Sequence, residues 1–219
     1  MPALISLLTL ALLLPATGHA ADVELTERAG FRVERIVDGL EHPWSFAFLP
    51  DGGYLVTERP GRLRRVAADG TLHPQPIDGL PEIRASGQGG LLDVALHPDF
   101  ANNRRVYFSY NEPGDGGFAT AVAHGRLEGM QLRDVEVIFR LLPKSRRGLH
   151  FGSRLVFDND GYLFITLGDR GDRPRAQDLG DHAGSVIRLN DDGSVPADNP
   201  FVGRPDARPE IYSCLLYTS

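Results

Sequence analysis

Short runs in which apolar and polar residues alternate recur along the chain, and each run leads into a turn. Three of them share one pattern, at residues 45–52 (SFAFLPDG), 93–100 (DVALHPDF) and 154–161 (RLVFDNDG). Alternation with a period of two is typical of β-strands, and Pro, Asp, Asn and Gly favour tight turns. A second apolar segment follows each turn, at residues 54–58, 106–110 and 162–167. The pattern therefore predicts three similar β-hairpins.

A third apolar segment with its own turn completes each unit, at residues 61–70, 120–129 and 184–193. The units begin 48 and 61 residues apart, which is in the range of a propeller blade with inserted loops. No segment shows the apolar periodicity of a long helix. We therefore predict an all-β fold, a β-propeller, with an ordinary β-sandwich as the alternative.

The composition agrees with many short elements. Of the 219 residues, 25 are Gly and 16 are Pro, which favours strands joined by tight turns, and 42% are hydrophobic, which is enough for a core. The net charge is −6 and no long basic stretch occurs, so the surface that nucleic-acid binding requires is missing. We predict a globular protein that does not bind nucleic acid.

The first twenty residues have the order of a secretory signal peptide: an apolar run, interrupted by Pro15, and then small residues. We predict cleavage after Ala20 and a periplasmic or secreted protein, without a membrane span once the signal is removed; a retained anchor is the alternative. Cys214 is the single cysteine, so no internal disulfide can form.

The predicted blades occupy residues 21–213, a length that supplies about three blades and part of another. Because a propeller must close, we expect a partial propeller, the N-terminal fragment of a longer one. Residues 209–213 are predicted to form a strand. Residues 214–219 (CLLYTS) end the chain without a turn or polar tail, and we predict a foreign tail, with a natural apolar strand as the alternative.

A histidine and an aspartate are predicted to meet at one end of the third hairpin. A turn centred on residues 159–160 pairs Phe157 with Tyr162 and, at the open end, His150 with Asp169. A β-bulge would shift this register by one residue but leave both groups at the same end. The carboxylate would orient the imidazole and stabilise its protonated form, which suits a general base; a purely structural pair is the alternative.

The same repeat alignment places Gln88 at that end of the second unit, within one residue of the position that His150 has in its own. Gln88 lies in the glycine-rich segment 86–90, where a ligand can approach the backbone, and an amide suits the recognition of hydroxyl groups. The basic run 144–147 just before His150 would favour an anionic ligand, or would be a solvated loop.

Other chemistry-bearing residues are explained by turns. His42, His73 and His97 each precede Pro, which is typical of loops. The acidic segments 169–172 and 190–193 lack the spacing of a twelve-residue calcium loop. The chain has no Gly-x-Ser-x-Gly motif and no paired cysteines for a metal, and its glycine-rich segment leads into a strand, which disfavours a nucleotide phosphate site.

Several ordered motifs lie between Phe31 and Ser213: HPWSFAF (42–48), TERPG (57–61), GQGGLL (87–92), HPDF (97–100), HFGSRL (150–155), TLGD (166–169), RP (173–174), AQDL (176–179) and DNPF (198–201). Together they resemble a known family, the quinoprotein soluble aldose sugar dehydrogenases, also called the glucose/sorbosone dehydrogenase family.

The resemblance implies a six-bladed propeller that binds pyrroloquinoline quinone (PQQ) and Ca²⁺. Such an enzyme passes a hydride from C1 of an aldose to the quinone, forms the lactone, and hands the electrons to an external acceptor. In this reading His150 removes the proton of the C1 hydroxyl, Asp169 orients His150, and Gln88 binds the sugar.

The chain also departs from the family. Some members carry Asp immediately before the catalytic His, where this chain has Leu149. The family continues with a Gly-x-Arg-Asn-Pro-x-Gly motif that holds the quinone, where this chain has residues 214–219, and the family's calcium ligands also lie further on. We therefore expect no metal ligands here, no tight binding of PQQ by this chain and no activity from it alone.

Two other functions stay open. A hydrolase of the lactonase type would need a central metal held by carboxylate or Asn side chains, and no such set is evident. A propeller that only binds partners is the second alternative, since a fold does not fix a function. Reduction of a dye with glucose, PQQ and Ca²⁺ distinguishes the dehydrogenase from both.

Overall fold

A computed structural model describes residues 23–25 and 28–214, so the predicted signal peptide and residues 215–219 lie outside the described residues. The described residues divide into two compact units, with the boundary between Ile36 and Val37. In the first, β1 (Val23–Leu25) and β2 (Gly30–Arg32) form an antiparallel hairpin. The described residues contain no helix that is long and apolar enough to span a bilayer.

The second unit contains three antiparallel sheets whose strands follow one another in sequence order. The first sheet consists of β3 (Pro43–Phe48), β4 (Tyr54–Glu58) and β5 (Arg62–Val66). The second consists of β6 (Leu91–Leu96), β7 (Arg105–Gly114), β8 (Gly117–Glu128) and β9 (Gln131–Arg140). The third consists of β10 (Gly152–Phe157), β11 (Leu163–Leu167), β12 (Ser185–Leu189) and β13 (Ile211–Cys214).

Helices are short in the described chain: α1 (Phe100–Asn103) follows β6, and a 3-10 helix (Arg173–Gln177) follows β11. The prediction of an all-β fold built from propeller blades is confirmed. Strand β9 was not predicted. Strand β13 begins two residues later than expected. It ends one residue later than expected, because Cys214 pairs with Ser185.

Packing between neighbouring sheets explains the apolar runs of the central strands. In β7, Phe108 belongs to the core between the first and second sheets, while the adjacent Tyr107 belongs to the core between the second and third. Successive side chains of a strand point to opposite faces, so a strand covered on both faces is apolar throughout. Strand β6, the first of the second sheet, also contacts β3 and β10, the first strands of the two other sheets.

The third hairpin differs from the predicted register. Phe157 pairs with Leu163 and not with Tyr162. The turn is one residue longer than expected because the carboxylate of Asp158 accepts hydrogen bonds from the amides of Asp160 and Tyr162, at 3.0 and 2.9 Å. A β-bulge then shifts the register back, so that Gly152 pairs with Leu167 at the far end.

Candidate functional site

The structure brings His150 and Asp169 together at one end of the third sheet. Both lie just outside the paired strands, where backbone hydrogen bonds continue the ladder: Gly168 N–H donates to the Phe151 carbonyl at 3.0 Å. The imidazole Nδ1 lies 2.7 Å from the Asp169 carboxylate. The His150 side chain is 54% exposed and that of Asp169 is 18% exposed, so a ligand can reach the ring while its partner is held.

Hydrogen bonds stabilise the ionised form of Asp169. Burial raises its pKa, but the His150 ring and the Gly171 amide, which donates at 2.8 Å, outweigh burial and place the pKa below its usual value. Asp169 is therefore ionised near neutral pH, and its carboxylate accepts a hydrogen bond from the protonated Nδ1 of His150. In that arrangement Nε2 is the ring nitrogen that can accept a further proton.

Gln88 joins the same site by a contact that the alignment does not specify. Its side-chain carbonyl accepts the backbone N–H of His150 at 2.8 Å, and its own backbone N–H donates to the Gly148 carbonyl at 2.8 Å. The glycine-rich segment allows this approach, since a Cβ on Gly87 would lie 2.1 Å from the Gly148 carbonyl. Here the glycine serves the contact between two loops of the chain.

The basic run 144–147 is neither a simple solvated loop nor a set of unpaired cations. The Lys144 side chain is only 10% exposed, and its ammonium group lies 2.6 Å from the Glu112 carboxylate. Arg147 donates to the Gly171 carbonyl. At Lys144 the expectation of an anionic ligand and the alternative of a solvated loop are therefore both wrong, because its ammonium group forms an ion pair with Glu112 on β7.

Removing the Lys144 charge should weaken the protein in acid. Burial raises the pKa of Glu112, but Lys144 and Arg140 outweigh it and lower the pKa below its ordinary value. Glu112 thus stabilises the fold above its unfolded pKa, and the stabilisation is lost as the pH falls through the lowered folded pKa. We expect Lys144→Met to lower the free energy of unfolding at pH 7 by about 1–3 kcal/mol and to move the acid transition to higher pH.

Urea unfolding from pH 3 to pH 7 measures both effects. The matched control is Arg126→Met, whose exposed ion pairs with Glu128 and Asp134 contribute less. Equal pH profiles for wild type and Lys144→Met would show that the pair does not stabilise the fold.

The remaining sequence candidates lie in turns. His97 accepts the Asp99 amide at 2.9 Å, and Asp169 and Asp172 close a turn through their backbones. Within residues 23–25 and 28–214, no three His, Cys, Asp or Glu side chains are grouped to hold a metal ion. A cavity of about 310 Å³ lies between the β3–β4 turn and α1, but it contains none of the predicted site residues.

Two buried charged side chains, Arg170 and Asp93, are not predicted from the sequence. Arg170 directly follows Asp169, and its side chain is completely buried. Asp93 on β6 accepts hydrogen bonds from residues on the neighbouring sheets. An arginine in the polar segment DRGDRPR gives no signal of burial, whereas Asp93 stands out as a charge within an apolar strand.

Comparisons with known proteins agree with the fold. The family model described as Glucose / Sorbosone dehydrogenase matches residues 40–214. Aldose sugar dehydrogenase YliI of Escherichia coli (strain K12) is 51% identical over 189 residues, which cover 84% of this chain and 51% of that protein.

Two solved structures are also similar. The apo form of the soluble aldose sugar dehydrogenase from Escherichia coli is 49% identical with a TM-score of 0.78, over 81% of this chain and 52% of that one. The PQQ-bound aldose sugar dehydrogenase from Streptomyces coelicolor is 28% identical with a TM-score of 0.68, over 90% and 55%. The chain thus spans about half the length of the relatives it matches.

Proposed function

The chain belongs to the glucose/sorbosone dehydrogenase family, and on that premise we propose that it supplies the proton acceptor and the sugar contact of an aldose dehydrogenase. The proposed reaction oxidises the C1 hydroxyl of an aldose to the lactone, with PQQ as cofactor and an external electron acceptor. The observation that carries the proposal is the 2.7 Å contact between His150 and Asp169 at an exposed end of a blade.

Each residue has a distinct task in this proposal. His150 accepts the hydroxyl proton at Nε2, because Nδ1 is committed to Asp169. Asp169 fixes the ring and stabilises the positive charge that the ring gains. Gln88 holds the backbone of His150 through its carbonyl, and we propose that its amide group binds a sugar hydroxyl.

We propose that the described residues supply only part of the cofactor site. PQQ carries three carboxylates and needs several cationic or N–H donors, whereas beside His150 the Arg170 guanidinium is completely buried and the Arg147 guanidinium donates to the Gly171 carbonyl. In the described ranges, no three His, Cys, Asp or Glu side chains are grouped to hold a metal ion such as Ca²⁺. We therefore propose that PQQ and Ca²⁺ in an active protein are held by other residues, and that this chain alone does not bind PQQ tightly.

A chimaera tests the proposal. Residues 40–213 replace the matching segment of the Escherichia coli relative, and glucose-dependent dye reduction is measured with PQQ and Ca²⁺. We expect the chimaera to reduce the dye and the chain alone to be inactive, because the chain spans about half the length of the relatives it matches, whereas the chimaera has their full length.

A folded chimaera without activity, beside an active parent, would reject the dehydrogenase assignment. Lactone hydrolysis without PQQ would favour a hydrolase, and the absence of both activities would favour a propeller that only binds partners.

We also propose that the protein is exported, on the basis of residues 1–20. Sequencing of the N-terminus after expression in a bacterial host tests this, and a periplasmic product that begins at Ala21 is the expected result. A cytoplasmic product that retains Met1 would contradict it.

A further inference from the structure

Arg170 is a buried cation without an acidic partner among the described residues. Its side chain has no exposed surface, and its Nε and Nη1 atoms have no hydrogen-bond partner. Burial, and to a lesser degree the charge of Arg175, lowers the pKa of Arg170 to about 10, so it stays charged at neutral pH. Burying an unpaired charge is costly, so a compensating role is expected.

The contacts of Arg170 surround His150 in sequence. The guanidinium lies 3.5 Å from the ring centroid of Phe151, the residue after His150. Its Nη2 donates to the carbonyl of Arg147, three residues before His150. Arg147 in turn donates from its side chain to the carbonyl of Gly171. Two crossed ties thus join the loop that carries His150 to the turn that carries Asp169.

The backbone at this junction needs such ties. His150 has φ +50° and Arg170 has φ +59°, both in the left-handed region that residues other than glycine disfavour. The Arg170 amide donates to the His150 carbonyl at 3.3 Å. Strained conformations of this kind persist when the surrounding structure over-determines them.

We propose that Arg170, together with Arg147, is a positioning residue that holds the His150 ring against Asp169. The inference rests on the proposed function only in that His150 is the group being positioned. Without the ties, His150 can relax to an ordinary backbone conformation and its ring can leave the carboxylate. The proposal is therefore tested by measuring which tautomer the His150 ring adopts in this chain.

The test uses the chain labelled with ¹⁵N-histidine, at about pH 8.5, above the ordinary histidine pKa of about 6.5. His150→Asn assigns the resonances. In the wild type we expect separate signals for a protonated Nδ1 and an unprotonated Nε2, because Asp169 selects one tautomer. In Arg170→Met we expect the separation to collapse towards the average of two exchanging tautomers.

The matched control is Arg188→Met. Arg188 is also a largely buried arginine stacked on an aromatic ring, 3.9 Å from the Tyr162 centroid, but it does not touch the His150 loop. We expect this variant to lose stability while the His150 signals stay as in the wild type. A folded Arg170→Met with unchanged His150 signals overturns the proposal.

Urea unfolding shows whether Arg170→Met is folded. If it is not, Arg147→Met decides, because Arg147 is exposed and its removal breaks only the tie to Gly171. A collapse of the signal separation in that variant supports the proposal, and unchanged signals overturn it. The His150 signals are measured without cofactor or sugar. An inactive chimaera would therefore reject the proposed function but would not affect the conclusion about Arg170.

Discussion

Replacing His150 by Asn in the active chimaera is expected to lower kcat by about 10²–10⁴-fold, the usual contribution of a positioned general base. Asn has a similar size but cannot take a proton from the sugar hydroxyl at neutral pH. The loss should appear mainly in kcat, because Gln88, the proposed sugar contact, is unchanged. Steady-state dye reduction over a range of glucose concentrations measures both parameters.

The control is His73→Asn, in a loop where the ring hydrogen-bonds to the nearby backbone of Gln75. We expect full activity from it. Asp169→Asn should fall between the two, because the base remains but its ring loses the carboxylate that orients it. If His150→Asn keeps more than about a tenth of the wild-type kcat, His150 is not the base.

The meeting of His150 and Asp169 could be predicted because two errors cancel. The turn of the third hairpin is one residue longer than the assumed turn, which moves Phe157 opposite Leu163. The bulge near Ser153, whose φ is +83°, removes the same one-residue shift before the end of the ladder. The sequence predicts which end of a hairpin a residue occupies better than it predicts its partner.

Strand β9 was missed for a related reason. Its alternation is interrupted at Asp134, which has φ +51° at a shift in the pairing with β8. An extra residue in a bulge breaks the period of two on which the search depends. The burial of Arg170 could not be predicted either, since it depends on rings and carbonyls brought together by the fold.

The alignment of the three repeats also contains information about one contact between neighbouring blades, which the strand prediction does not use. Ser45, Asp93 and Arg154 occupy the same position in the three aligned units. In the structure the Asp93 carboxylate accepts the hydroxyl of Ser45 and, at 3.0 Å, the guanidinium of Arg154. Equivalent positions on neighbouring first strands of propeller blades lie side by side, so residues that align can also touch.

Asp93→Asn is therefore expected to destabilise the chain by about 3–5 kcal/mol, because hydrogen bonds to a charged acceptor contribute about 1.5–3 kcal/mol each and this carboxylate accepts several. The Asp93 side chain is only 2% exposed and also accepts the Leu155 amide at 2.7 Å, so one carboxylate joins β3, β6 and β10. An Asn side chain has an NH₂ group in place of one carboxylate oxygen, and this group cannot accept a hydrogen bond. At least one of the groups that donate to Asp93 would therefore lose its acceptor. Urea unfolding of the chain at pH 7 measures the loss.

Asp51→Asn is the control, because it makes the same change in an ion pair with Arg65 at 2.7 Å that is largely exposed. We expect a loss of less than about 1 kcal/mol there. If Asp93→Asn costs no more than this control, the carboxylate does not hold the sheets together and apolar packing alone joins them. If it costs the expected amount, the Asp93 carboxylate contributes to the stability of the fold by joining one strand from each of the three sheets.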